Sequence, residues 1–340
     1  MIAAPAAGAG RRRVVRAPNH LGDVVVALPA LAADGGDVMV RSWLAPLVEM
    51  ALLPGKTLPL APGGRGWWGA VRALRAGGYR EGGLLTPSFS AAWLFRWGGV
   101  ARLRGTATDA RSWLLRERVP REGLRAHHRI NQYRLILGQD PGLEPRYHRL
   151  APPSAVVEAW AERLGGGGPW VGFVPGSNAP SRRWPAERFA GVARALSRRG
   201  ARVVVVGGPA ERPVTARVAE AAPGAVDAGG DTDLAGLAAL LSLCDVVVSN
   251  DTGPMHLAAS VGVPTVTLWG PSPPDEAAPP GPEHRRVEGP ALPCRPCFRN
   301  ACPRSGRGTM LAEARDECLH LIQEDQVTRA VEALLEGRPA

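Results

Sequence analysis

Apolar residues along the chain gather in short runs, and each run ends in a break rich in Gly, Pro, Ser, Asn or Asp. The break gives way to a stretch with helical spacing, and the cycle repeats through both halves. Four valines in a row at 203–206 and three at 246–248 read as strands buried on both faces, as parallel sheets require. Strands are predicted over 13–18, 37–40, 82–86, 102–105, 170–174, 201–206, 246–249 and 263–270. Helices are predicted over 24–33, with Pro29 interrupting, and over 42–53, 67–76, 91–97, 154–164, 186–199, 210–221, 234–244 and 326–335. Alternating strands and helices in both halves imply two doubly wound parallel sheets of α/β class. A cleft between two such domains is where a ligand should sit. Pro152-Pro153 and the glycine run at 165–168 punctuate the middle of the chain, and the glycines are read as a hinge. Domains are placed at 11–164 and 165–325, with a closing helix and tail at 326–340.

The breaks carry the candidate chemistry. After 246–249 come Asn250, Asp251, Thr252, Gly253, Pro254, Met255 and His256. Turn and cap formers give way to a proline suited to a first helical turn. Such a turn aims backbone N–H groups and the positive helix end at an anion. An ordinary βα turn has the same pattern. Asp251, Thr252 and His256 add an acceptor, a hydroxyl and an imidazole around one point. Asn19 to Asp23 forms a comparable turn in the first half, with Asp23 at the sheet edge where ligands bind. Asp23 serves equally as a helix cap. The loop from Pro175 to Pro185 holds Gly176, Ser177, Asn178 and the pair Arg182-Arg183, a composition suited to phosphate oxygens. Gly55-Lys56-Thr57 is not a P-loop, because position 50 is Met where that motif has glycine.

Charge changes the picture. All but one of the 41 basic residues are Arg. Residues 1–150 hold 22 basic and 10 acidic side chains, a net of +12, whereas 151–340 hold 19 and 21, a net of −2. The first half is therefore suited to an anionic partner: nucleic acid, a membrane face or a phosphorylated substrate. No apolar run reaches the roughly 20 residues of a membrane-spanning helix. Residues 1–10 place their apolar stretch before Arg11-Arg12-Arg13, the reverse of a secretory signal, and read as a loose tail. A cytoplasmic protein is expected, one that can rest on a membrane surface. Cys294, Cys297, Cys302 and Cys318 offer four thiolates to a zinc ion, or else are reduced thiols or a redox pair. His127-His128 lacks a third ligand.

These residues resemble glycosyltransferase family 9, the bacterial ADP-heptose:lipopolysaccharide heptosyltransferases, and most of all its heptosyltransferase II branch. The resemblance rests on Gly22-Asp23 with Pro29, Ser88-Phe89, and Pro175-Gly176 with Arg183-Trp184-Pro185. It rests further on Asn250 through His256 and on Cys294-x-Pro296-Cys297-Phe298. It implies a GT-B fold, two Rossmann-like domains facing a central cleft, with acceptor on the first and ADP-sugar on the second. It implies inverting transfer of heptose from ADP-L-glycero-D-manno-heptose to the lipid A-linked core, with no cofactor required and contact with the anionic inner face of the inner membrane. Asp23 matches the proposed general base. Asp251, Thr252, Gly253 and His256 match the donor turn, with Gly176, Ser177 and Asn178 as loop members. Arg182 stands where the family usually has Lys, a planar fork in place of a point charge. No nucleotide contact is expected at 207–211. Ser88, Arg104 and Arg111 are candidate acceptor contacts. A relative with another sugar or acceptor, such as heptosyltransferase I, and a zinc-stabilised nucleotide- or nucleic-acid-binding module are the alternatives. Aromatic residues do not interleave with the basic ones as a nucleic-acid stacking platform requires.

Overall fold

The computed structural model describes residues 12–302 and 318–337. The chain divides into two compact units, Met1–His148 and Arg149–Ala340. Each unit is a six-stranded, wholly parallel sheet flanked by helices.

The first sheet uses β1 (Arg13–Arg16), β2 (Asp37–Arg41), β3 (Thr57–Leu60), β4 (Glu81–Leu84), β5 (Arg102–Thr106) and β6 (Glu117–Val119) in the order β3-β2-β1-β4-β5-β6. Val15 of β1 lies beside Val38 of β2 and Gly83 of β4, which fixes the register at the sheet centre. The helices are α1 (Leu21–Asp34), α2 (Ala45–Met50), α3 (Gly63–Gly77), α4 (Phe89–Trp97) and α5 (Arg129–Leu137). Pro29 lies inside α1, which runs on past it to Asp34. Gly35 then stops the helix in the left-handed region at φ 69°, its N–H bonded to the Leu31 carbonyl. Phe95, Leu74, Leu84 and Leu103 anchor a core on one face of the sheet.

The second sheet repeats the winding. Its strands are β7 (Trp170–Val174), β8 (Arg202–Gly207), β9 (Val226–Gly229), β10 (Val246–Asn250), β11 (Thr265–Trp269) and β12 (Arg285–Glu288), in the order β12-β11-β10-β7-β8-β9. The helices are α6 (Ser154–Leu164), α7 (Ala186–Ser197), α8 (Arg212–Ala219), α9 (Leu234–Ser242), α10 (Gly253–Ser260), α11 (Pro274–Ala277) and α12 (Glu324–Glu336). Val171, Phe173, Val246 and Val248 pack with Trp184 and Phe189 in its core. Both sheets therefore wind 3-2-1-4-5-6, the Rossmann order, and two such units in one chain are the expected GT-B class.

Three expectations change. The boundary falls at 148/149 rather than 164/165, because α6 packs on α9 of the second unit. The glycine run at 165–168 therefore lies within the second unit, where the Arg202 guanidinium donates to the Gly166 carbonyl at 2.6 Å; it is not a hinge between units. Helix α12 is no separate appendage: Val327 and Val331 are buried in the second unit's core, and the helix packs on α7. The tail expected at 1–10 and the residues between Cys302 and Cys318 lie outside the described residues.

Candidate active site

In the first unit the turn after β1 leads into α1, and Asp23 stands in that helix's first turn, where its charge suits the positive helix end. Its carboxylate is gripped by α5. Arg129 Nη1 lies 3.3 Å from Asp23 Oδ1, and the Tyr133 hydroxyl donates to the same carboxylate. Burial, and then the charge of Asp23, pushes the Tyr133 hydroxyl well above its ordinary pKa, so it remains a proton donor to Asp23. Arg129 and Tyr133 were not among the residues expected; their i, i+4 spacing was the only signal. Asp23 is thus no idle cap: His20 is the cap residue, and its side chain makes no capping bond.

The acceptor candidates fare differently. Ser88 caps α4, accepting from the Ala91 N–H, and lines a cavity of about 490 Å³ at the C-terminal rim of the sheet. Arg111 is fully buried and spends its donors inside the fold, on the carbonyls of Thr86 (2.6 Å), Ser88 (3.2 Å) and Thr106 (3.1 Å) and on the Thr106 hydroxyl (3.0 Å). Arg104 donates to the carbonyls of Ile136 (2.8 Å) and Leu135 (3.2 Å) at the end of α5 and pairs with Glu117. Arg104 and Arg111 thus spend these donors inside the fold, as struts between its elements. A neighbouring feature went unread in the sequence. Trp67, Trp68, Trp97, Trp93 and Trp113 form a continuous aromatic ridge, with ring centroids 4.8 to 6.1 Å apart. Trp68 and Trp113 are 49% and 65% exposed.

In the second unit three breaks converge on one rim. Asn250, at the end of β10, is fully buried. Its Oδ1 accepts from the Trp184 N–H (3.0 Å) and its Nδ2 donates to the Pro175 carbonyl (2.8 Å), tying this turn to the loop after β7. Arg182, on that loop, reaches Asp251 at 3.4 Å. Its buried Nε has no hydrogen-bond partner among the described residues. Thr252 begins α10 with extended backbone, and its hydroxyl makes no capping bond, while His256 is buried one turn on. Ser177 accepts from the Ala179 N–H, its carbonyl takes the Arg183 guanidinium at 2.7 Å, and Asn178 stays exposed. A Cβ on Gly176 would collide with the Glu211 carboxylate, which also accepts from the Gly208 N–H at 2.8 Å. An acidic group thus stands where none was expected to matter. The cysteine segment packs on the same loop, the Ser181 hydroxyl donating to Arg299 and its N–H to Asn300. Burial raises the Cys318 thiol above its ordinary pKa, with Arg295 opposing. Cys294 is exposed, and among the described residues no three His, Cys, Asp or Glu side chains gather to hold a metal.

Tandem Rossmann-like units, one presenting a cationic, dipole-backed turn, are the GT-B class of nucleotide-sugar glycosyltransferases. The family described as glycosyltransferase family 9 (heptosyltransferase) matches residues 67–306, and the chain belongs to it. Lipopolysaccharide heptosyltransferase 2 of Escherichia coli K12 is 27% identical over 269 residues, 72% of this chain and 76% of that protein. Lipooligosaccharide heptosyltransferase 2 of Haemophilus influenzae is 35% identical over 117 residues, 33% of this chain and 34% of that protein. The matched stretch thus spans about a third of that relative. The structure of E. coli ADP-heptose lps heptosyltransferase II superposes with a TM-score of 0.78 at 22% identity, over 96% of this chain and 98% of the other, which shows the shared fold.

Proposed function

We propose that the protein is an inverting glycosyltransferase of the heptosyltransferase II kind, moving heptose from ADP-L-glycero-D-manno-heptose to the inner core of lipopolysaccharide. Family membership and the names of its relatives support the reaction class. The observation that carries the donor half is the buried, unpartnered Nε of Arg182 at the start of α10, a charge-assisted donor that a diphosphate oxygen would satisfy. The second unit holds the ADP. The α10 N-terminus and Arg182 stabilise the charge that builds on the β-phosphate as the glycosidic bond breaks. Glu211, in the turn that follows β8, the strand beside β7, offers a carboxylate on the rim where Rossmann sheets take a ribose hydroxyl. The first unit holds the acceptor. Asp23, oriented by Tyr133 and Arg129, removes the proton of the attacking hydroxyl as that oxygen bonds the anomeric carbon. The bonding pair of the broken C–O bond leaves with ADP, and the sugar inverts.

The enzyme acts at an anionic membrane face. No helix among the described residues is long and apolar enough to cross a membrane. The tryptophan ridge and the net +12 of residues 1–150 support a peripheral contact. The four cysteines are not assigned a metal.

Purified protein, ADP-heptose and defined core acceptors should yield acceptor one heptose heavier by mass spectrometry; an unaltered acceptor mass refutes the reaction. Asp23→Asn should lower kcat by about 10²- to 10⁴-fold while ADP affinity is retained. Normal turnover in that variant removes Asp23 from the role of base.

A further inference from the structure

Four of the five cysteines fall late in the second unit, where the proposed reaction makes no use of them. Three of their thiols nonetheless meet. Cys318 opens a short helical turn over Cys318–Leu321, and a Cβ added to Gly270 would lie 2.9 Å from its sulfur. The next carbonyl along, that of Pro271, accepts from the N–H groups of Cys297 and Phe298, both at 3.0 Å. Cys297 and Cys318 thus share the Gly270-Pro271 turn that follows β11. Arg295 pins the same turn, its Nε donating to the Gly270 carbonyl at 2.8 Å. Burial raises the Cys318 thiol above its ordinary pKa, Arg295 opposes, and Cys297 and Cys302 stand close enough to add to the rise. Cys297 and Cys318 are free thiols and only half-buried, so a small oxidant can approach them. Beyond Cys297 the chain forms a strap to the loop after β7. The Arg299 and Asn300 carbonyls accept from the hydroxyl (2.5 Å) and the N–H (3.1 Å) of Ser181, the residue before Arg182. The turn bearing Cys318 is rooted more deeply. Leu319 and Ile322 are fully buried in the core, and the Ile322 carbonyl accepts from the Trp184 indole (3.3 Å) and from Arg188 (2.8 Å).

We propose that Cys297 and Cys318 form a reversible disulfide lock that ties the strap to this rooted turn and so fixes the loop carrying Ser181 and Arg182. The oxidant is a small disulfide of the glutathione class. One cysteine displaces a glutathione thiol from glutathione disulfide, its own proton passing to the released sulfur. The second cysteine displaces the remaining glutathione in the same way and closes the bond. Two cysteine thiols are oxidised, and one glutathione disulfide is reduced to two thiols. The closed lock removes freedom from the strap. A loop held in its binding conformation has less order to gain on binding, so the oxidised protein should hold ADP more tightly. The effect on ADP rests on the donor reading of Arg182; the bond and its hold on Ser181 do not.

The test equilibrates the full-length protein with reduced or oxidised glutathione. Mass spectrometry of proteolytic peptides should find Cys297 and Cys318 joined, with two hydrogens lost, in the oxidised protein and separate in the reduced one. Hydrogen exchange in the peptide holding Ser181 should slow about threefold or more on oxidation. The Kd for ADP, measured by calorimetry, should fall about threefold or more. Cys297→Ser should abolish all three changes, and Cys302→Ser should keep them. A bridge to Cys302 instead, a stoichiometric metal ion retained by the reduced thiols, or equal exchange of the Ser181 peptide in both states overturns the lock. With the bond formed, equal ADP affinity in both states overturns its hold on Arg182. No bond, with ADP bound as before, refutes the lock and leaves the donor reading standing. A bond that slows exchange in protein that binds ADP in neither state does the reverse.

Discussion

Replacing Arg111 by Met separates a strut from a ligand contact. The side chain is fully buried, and its guanidinium bridges the ends of β4 and β5 by donating to Thr86, Ser88 and Thr106. A methionine of similar length fills the space but strands the Thr86 and Ser88 carbonyls, while the Thr106 carbonyl keeps the Thr108 N–H at 2.9 Å. Each unsatisfied buried acceptor costs about 1–3 kcal/mol. Relief of the buried charge offsets part of this: burial holds the guanidinium pKa down to about 10, with Asp109 opposing. The balance is a loss of about 2–4 kcal/mol from the first unit. Urea unfolding followed by tryptophan fluorescence reads this directly, since Trp93 and Trp113 lie beside the Ser88 turn. Arg111→Lys, which keeps a donor and a charge, should lose less. Should Arg111→Met unfold within about 1 kcal/mol of the parent while its acceptor KM rises tenfold, the side chain meets the acceptor and the strut reading is wrong.

Other consequences are as direct. His284 is buried against Thr265, and that burial lowers its pKa from 6.5 to about 4, with Glu283 opposing. Between those values the unfolded chain binds a proton that the native chain does not, so stability should fall by up to about 3 kcal/mol as pH drops from 6.5 through 4. His284→Gln should flatten that slope in thermal melts at successive pH values, and parallel slopes would refute the assignment. Asn250→Ala leaves the Trp184 N–H and the Pro175 carbonyl unpaired, and should destabilise the second unit by about 2–4 kcal/mol in denaturant titrations. Trp68→Ser combined with Trp113→Ser should lower affinity for phosphatidylserine vesicles by roughly tenfold with unchanged circular dichroism; undiminished vesicle binding would take the ridge off the membrane.

The central strands were legible because burial on both faces writes itself as unbroken valine runs, as in β8 and β10. The flanking strands β3, β6, β9 and β12 were not. Each is short and partly solvent-facing, and β3 carries Pro59, which an edge or near-edge position tolerates. The turn before α10 announced itself because a proline, a glycine and three polar side chains cluster where a strand run stops. Arg104 and Arg111 misled for the opposite reason: sequence displays a charge but not the carbonyls that consume its donors. Tyr133 needed the packing of α1 on α5 before it could be tied to Asp23.

Strictly parallel winding also sorts the surface by consequence. Asp23, Ser88, Arg182, Glu211 and the α10 turn all follow strand ends, so they share one type of rim within their units. The opposite rims are built from helix-to-strand connections at Gly35, Gly78 and Gly200, each in the left-handed region. Extra loop residues, epitope tags or fused partners spliced there would sit a full strand length from the groups named in the chemistry of the same unit, which makes those three glycine corners the natural places to re-engineer this scaffold.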